Sequence, residues 1–274
     1  MQSRLGSNEM SDHKFSGSVP ENYHRYLVPL IFEDYAIDLA ERLHLAADDT
    51  LLETAAGTGV LTRQLMQQMP SGTKIVTTDF NPAMLAVAQA SLPPADNVSY
   101  QQANGVELPF DEQSFDAVVC QYGVMFFPDI EQGYREAHRV LKDGGEFLFN
   151  VWDKLDHNEI PRTVHEVALG LDADSPPDFL ATPWSYNDID LITTQLKHAG
   201  FSEIDVTVLP KECTAPAARN AALALGAGSP LAAQLEERGL ADVAIDRFTA
   251  ALEGRFGTGP IAAPMQAIVF HARK

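Results

Sequence analysis

The chain is short of cysteine, of positive charge and of long apolar runs, and each shortage excludes something. Its two cysteines, Cys120 and Cys213, lie far apart and match no metal-ligand spacing. Cys120 stands at the end of the apolar run "DAVVC", where a thiol behaves as a small buried hydrophobe. Such sparse cysteine usage leads us to expect a reduced, cytoplasmic protein. No stretch approaches the ~18 consecutive apolar residues of a membrane span. The opening "MQSRLGSNEMSDHKF" lacks the apolar centre of a secretory signal, so residues 1–14 read as a flexible tail. Lysine and arginine number 19 against 38 acidic residues, a formal net charge of −19. A surface of that sign repels phosphate backbones, and no basic cluster offsets it, which argues against nucleic acid as a partner.

What is present is a globular composition: 274 residues, 45% apolar and 21% charged. From Pro29 to Leu45 apolar residues recur at helical spacing. Thr50–Glu53 reads as a short buried strand, "GVLTRQLMQQM" as a helix and "TKIVTTD" as a second strand. Asn81 and Pro82 form an N-cap and N1 pair opening the helix "PAMLAVAQASL". "NVSYQQAN" and "FDAVVCQYG" supply two more strands; "IEQGYREAHRVLK" is a helix closed by the glycines of "KDGG", and "GEFLFNVWD" is a fifth strand. Strands alternating with helices predict an α/β fold, a parallel sheet with helices on both faces. Ligands of such sheets bind at the carboxyl ends of the strands.

Beyond Asp153 the rhythm changes. "HNEIPRTVHEVALGL" and "NDIDLITTQLKHAGF" look helical, "SEIDVTVLP" strand-like, and residues 215–256 form alanine-rich helical sequence interrupted at "GAGSP" and "ERGL". "PMQAIVFHARK" closes the chain as a late strand. The expected organisation is one domain over 15–274, with a cofactor core over about 29–153. Helical lid and substrate-side insertions fall at about 154–187 and 211–260, and a final strand at about 264–273. The alanine-rich insertion reads equally as a cover over substrate or as the face of a homodimer.

The loop "ETAAGTGVLT" follows the first strand. It lacks the Lys-Ser/Thr pair of a P-loop, which excludes nucleotide hydrolysis of that type. It also lacks the third glycine of a dinucleotide fingerprint, Thr62 standing there. Gly57 and Gly59 still permit a tight turn and close approach of a ligand to backbone. Asp79 ends the second strand, where a carboxylate can accept from both hydroxyls of a ribose. Loop and acid together indicate an adenosine ligand.

The segments "NGVELPFDEQSFDAVVCQYGVMFFPD" and "YREAHRVLKDGGEFLFNVWD" resemble the class I S-adenosylmethionine-dependent methyltransferases of the type 11/25-like group, which includes quinone-biosynthesis methyltransferases. The resemblance spans about Phe15 to Asp153. It implies a Rossmann-like, seven-stranded, mostly parallel sheet with its last strand antiparallel. It implies S-adenosyl-L-methionine as cofactor and a small-molecule methyl acceptor, while no cysteine or histidine spacing suggests a metal. By position, Glu53, Ala55, Gly57, Thr58 and Gly59 should meet the methionine part. Asp79 should hold the ribose, with Phe80 and Met84 flanking the adenine. Asn104, Gly105 and Val106 should meet the adenine edge, and Gln121 should lie near the methyl group. Phe15, Tyr23 and Tyr26 belong to a segment used as a lid. Two departures stand out. The family usually has glycine at Ala55, where alanine must adopt an ordinary φ or bear a cost. It usually has aspartate at Asn104, where an amide carbonyl accepts without charge assistance.

Methyl transfer is an in-line displacement that depends mainly on alignment, with a base needed only for an acceptor that must lose a proton. Tyr122, His157 and His165 are candidates for that task, the two histidines on one lid helix. Phe126, Trp152 and Trp184 are candidates for apolar walls. The aromatic stock of these segments predicts an apolar or aromatic acceptor. The competing readings are a non-catalytic module binding the same cofactor and a nicotinamide oxidoreductase.

Overall fold

The computed structural model describes residues 19–274, which group into two compact units interleaved along the chain. Phe15 lies outside the described residues. One unit holds Asp34–Trp152, Tyr186–Leu209 and Ala267–Lys274; the other holds the chain up to Glu33, Asp153–Ser185 and Pro210–Gln266.

The first unit is built on a seven-stranded sheet of order β3-β2-β1-β4-β5-β7-β6. The strands are β1 (Thr50–Glu53), β2 (Lys74–Asp79), β3 (Val98–Gln102), β4 (Phe115–Gln121), β5 (Leu141–Trp152), β6 (Ser202–Ala215) and β7 (Ile261–Arg273). β1 to β5 pair in parallel, and β7 pairs antiparallel to β5 from Glu146↔Arg273 to Trp152↔Ala267, as expected of the late strand. Because β1 has β2 on one side and β4 on the other, the order reverses at β1, where ligands of open α/β sheets bind. Leu51, Leu52 and Ala117–Cys120 are wholly buried, which is why these strands are apolar without alternation. Phe149 stacks on Phe147 and Phe270, with centroids 4.8 and 5.1 Å away, and so packs the β5–β7 face.

The helices of this unit are α2 (Glu33–Arg42), α3 (Val60–Gln68), α4 (Pro82–Ser91), α5 (Ile130–Val140) and α7 (Ile189–His198). Asn81 caps α4 through its side chain, which accepts from the Ala83 N–H, with Pro82 at N1. Among the boundaries that differ from the sequence reading are two helix ends. Helix α5 stops at Val140, because Leu141 is already extended. "KDGG" therefore lies within β5 as a bulge: Phe115 pairs with Leu141, but Ala117 pairs with Glu146. Gly144 takes φ +79° there, and Lys142 Nζ holds both oxygens of Asp116 at 2.9 and 2.7 Å. The amino-terminal helical run also begins before Pro29, with α1 (Val19–Asn22) and a π-helix over Tyr23–Phe32. The wider π ladder, seen in the Glu33 N–H to Val28 O bond, accommodates a proline that has no N–H to give.

The second unit is mainly helical: α6 (Glu159–Leu169), α8 (Ala218–Ala227), α9 (Leu231–Glu237) and α10 (Ala241–Phe256). Its alanines are used internally. Ala221, Ala222 and Ala224 are wholly buried, and a Cβ on Gly226 would come within 2.5 Å of Ile245 Cδ1, so α8 and α10 approach closely. Among the described residues no helix is long and apolar enough to cross a membrane.

Candidate functional site

The carboxyl edge of β1, β2 and β4 is joined by a small set of polar contacts. The loop leaving β1 runs between its neighbours, with Thr54 N–H donating to Val119 O on β4 and Ala56 N–H to Thr78 O on β2, both at 2.9 Å. Gly57 N–H then donates to Asp79 Oδ2 at 2.8 Å, while Asp79 Oδ1 accepts from Asn81 N–H at 2.8 Å. Gly57 (φ +57°) and Gly59 (φ +83°) occupy the left-handed region, and Gly59 lies against Ala88 of α4, 3.0 Å from where a Cβ would sit. The turn thus presents bare backbone beside a half-exposed carboxylate.

Ala55 sits at φ +53°, so it bears the cost of the left-handed region instead of escaping it. Its methyl group has a specific neighbour. A Cβ on Gly123, after β4, would lie 2.4 Å from Ala55 Cβ and 2.7 Å from Cys120 Sγ. The alanine is thus accommodated by a glycine just past the end of β4.

Glu53 has no exposure to water. Its Oε2 accepts from Thr62 Oγ1 at 2.6 Å and Thr77 Oγ1 at 3.2 Å, and its main-chain carbonyl accepts from Thr78 Oγ1 at 2.8 Å. Its Oε1 has no hydrogen-bond partner among the described residues. Burial pushes its carboxyl up to about 7, against the opposing hydrogen bonds of Thr62 and Thr77. Thr62 occupies the place of the missing third glycine, so the residue that weakened a dinucleotide reading is the one that anchors this acid. Nothing in the sequence marks either threonine as a partner of Glu53.

The other expected cofactor residues lie on the same sheet edge. Thr58 and Met84 are buried, and Phe80 is half-buried, its carbonyl accepting from Gln102 Nε2 at 2.8 Å. Ala103 N–H donates to Asp79 O, which places Asn104, Gly105 and Val106 directly after that contact. Asn104 Oδ1 accepts from Val106 N–H at 3.2 Å, a turn held by the side chain itself. Gln121 is paired with Asn150 of β5. Tyr122, the next residue, is held at φ +51° by Asn150 Oδ1, which accepts its N–H at 3.0 Å. Its ring stacks on Trp152 at 3.9 Å and meets Tyr35 edge-on at 5.7 Å. Burial raises the Tyr122 hydroxyl well above its usual range, so it does not ionise near neutrality. Asn150, with no signal in the sequence, is what allows a tyrosine at that backbone conformation. Phe126 is 44% exposed.

The remaining candidates belong to the helical unit. Tyr23 stacks on Phe32 at 5.3 Å, and Arg25 lies over the Tyr26 ring at 5.1 Å. Trp184 is buried. His165 lies on α6, where burial lowers its pKa. His157 does not share that helix. It ends a 3₁₀ turn over Leu155–His157, because Asn158 begins α6 after it. Asn158 is fully buried and fastens this turn: its amide donates to Asp153 O, Lys154 O and Gln266 O, and accepts from Gln266 N–H. His157 Nδ1 lies 3.1 Å from Asp153 Oδ2, which also accepts from Gln266 Nε2 at 2.6 Å. Burial opposes ionisation of Asp153, but Gln266, the Lys154 N–H and His157 together hold its pKa below the usual range. No group of three or more metal-ligating side chains occurs among the described residues.

Two outcomes follow from this geometry. Gly123→Ala should cost about 1–3 kcal/mol by overpacking, and Ala55→Gly in the same molecule should return part of it, a coupling measurable by denaturant unfolding. Because the Glu53 pKa is raised on folding, its protonated form stabilises the protein fully below about pH 4.5, and that contribution is lost as pH rises through about 7. Glu53→Gln should therefore melt higher than the parent at pH 8.5 and close to it at pH 5.

A family model described as a methyltransferase domain matches residues 52–149. The ubiquinone/menaquinone biosynthesis C-methyltransferase UbiE of Shewanella sp. (strain W3-18-1) is 31% identical over 171 residues, covering 57% of this chain and 68% of that protein. Among solved structures, Haemonchus contortus phosphoethanolamine N-methyltransferase 2 in complex with S-adenosyl-L-methionine aligns with a TM-score of 0.64 at 16% identity, over 99% of this chain and 60% of the other. A SAM-dependent methyltransferase from Thermotoga maritima aligns at 0.57 and 18% identity, over 96% and 99%. With a seven-stranded sheet of this order and a relative of this identity, the chain belongs to the class I S-adenosylmethionine-dependent methyltransferases.

Proposed function

We propose that this enzyme methylates a small aromatic acceptor of the quinol type, using the edge of β1, β2 and β4 to hold S-adenosylmethionine. The observation that carries the cofactor part is the Asp79–Gly57 contact, which sets an acidic acceptor beside bare loop backbone. The residues fit the group. Asp79 keeps lone pairs for ribose hydroxyls, and the buried Glu53 offers an oxygen without a partner among the described residues and a negative charge for a cationic ligand. Asn104, Gly105 and Val106 would meet the adenine edge, Phe80 and Met84 its faces, and Gln121 the methionine end. When bound, the cofactor supplies an electrophilic methyl group on a sulfonium. The chain's own task is to align and to exclude water. The quinol class is supported by the relative's role in quinone biosynthesis and by the aromatic side chains of the flanking segments. A surface of net charge −19 suits a neutral acceptor better than a phosphorylated one.

Among the proton-carrying candidates, the surroundings of His157 suit a base best. Gln266 Nε2 donates to Asp153 Oδ2 at 2.6 Å and also lies 2.9 Å from His157 Nδ1, so Asp153 and Gln266 together orient the imidazole. His165 is less basic through burial, and Tyr122 is held protonated.

Calorimetric titration with S-adenosylhomocysteine and with NAD separately tests the cofactor reading, and tight binding of NAD alone would overturn it. Asp79→Ala should weaken S-adenosylhomocysteine binding by about 1–3 kcal/mol, and by less for the 2′,3′-dideoxy analogue, which has no hydroxyls for Asp79. With 1,4-dihydroxynaphthalene as acceptor, His157→Gln should lower kcat by about 10²–10⁴-fold at unchanged S-adenosylhomocysteine affinity. Methylation of peptides or nucleic acid alone would exclude the quinol class.

A further inference from the structure

Phe127 follows the 3₁₀ turn Val124–Phe126 and precedes α5, and its ring is wedged between two glycines. A Cβ on Gly105 would lie 2.5 Å from Phe127 Cζ, and one on Gly133 of α5 would lie 2.4 Å from its Cδ2. Neither glycine has positive φ, so backbone conformation does not demand them; the space taken by the ring does. The ring tip therefore rests on the α-carbon of the loop 104–106, and the ring edge on the helix.

The same helix grips the chain just beyond that loop. Glu136 Oε2 accepts the Leu108 N–H at 2.7 Å, while Arg139 donates to Phe110 O at 2.7 Å and Leu108 O at 3.0 Å. Arg139 also pairs with Glu136 at 2.7 Å, which fixes both side chains. With polar contacts over Leu108–Phe110, the contact at Gly105 sets where the loop tip stands. Asn104 contributes to the same constraint, since its Oδ1 holds Val106 N–H and so orients the amide that the loop presents.

We infer that Phe127 is a positioning residue that sets the cofactor's base specificity: by bearing on Gly105 it fixes the distance of the Asn104–Val106 edge from the base. This rests on the reading of that loop as the adenine contact. Placement matters here because a hydrogen bond from an exocyclic amino group to that amide weakens steeply as its angle closes toward ~120°.

The test is the ratio of affinities for S-adenosylhomocysteine and S-inosylhomocysteine, which carries a carbonyl in place of the adenine amino group, measured by titration calorimetry with folding checked by thermal melting. The parent should favour the adenine ligand roughly tenfold, the scale of one net hydrogen bond. Phe127→Leu, which retracts the ring tip, and Phe127→Tyr, which drives a hydroxyl into the Gly105 backbone, should both bring the ratio near one. A purely structural role would weaken both ligands together and leave the ratio alone. Should either variant fail to fold, Gly133→Ala leaves Phe127 in place but displaces its ring, and should lower the ratio likewise. Discrimination retained in the folded variants would overturn the inference alone. Equal affinity of the parent for both ligands would overturn the adenine reading of the loop, and the inference with it.

Discussion

A carboxylate sealed from water is the contact on which the carboxyl edge of β1, β2 and β4 depends. Glu53 closes β1, and through its side chain it binds a threonine of α3 and another of β2, while its carbonyl takes a third hydroxyl. Three elements are thereby joined at the residue where the chain must turn out of the sheet. A buried acid of this kind is expensive unless its oxygens are satisfied. Here one oxygen is satisfied twice and the other not at all among the described residues. Burial thus pushes this acid's pKa up to about 7 at the start of the loop that leaves β1.

From that anchor the loop's path is largely determined. Thr54 and Ala56 are tied to the strands on either side, Gly57 is tied to Asp79, and Gly59 opens α3 against α4. Asp79 thus has work within the fold before any ligand arrives. Distorting the turn and displacing that carboxylate are therefore one event. Tyr122 shows a similar economy, since Asn150 both satisfies its N–H and holds it in a conformation tyrosine seldom takes.

Much of this was legible in the sequence because it is local. β1 begins and ends where the apolar run "TLLE" predicts; the Asn81–Pro82 start of α4, the break of α7 at Gly200 (φ +106°) and the three helices of the alanine-rich region follow from capping, turn and periodicity rules. The missed features depend on distant partners. Nothing near Thr62 or Thr77 signals that both face Glu53, and nothing near Gly123 signals the methyl group of Ala55. "KDGG" reads locally as a helix stop, yet its register is set by β4 and by Asp116, residues far earlier in the chain. His157 and His165 share a helical period on paper; a buried Asn158 bonded to Gln266, over a hundred residues away, separates them. The family model likewise ends at residue 149. The family signal is thus carried by the first half of the chain.

The bulge in β5 has a practical side. Between Leu141 and Glu146 the strand takes up extra residues opposite Asp116, after which pairing runs without interruption to Asn150 at the ligand edge. Slack is thus absorbed at the amino end of the sheet. Gly144 faces open space, with nothing within 4 Å of where a side chain would begin. A short epitope inserted beside Gly144, with that glycine kept for its positive φ, would sit at the edge of the sheet opposite the carboxyl ends of the strands.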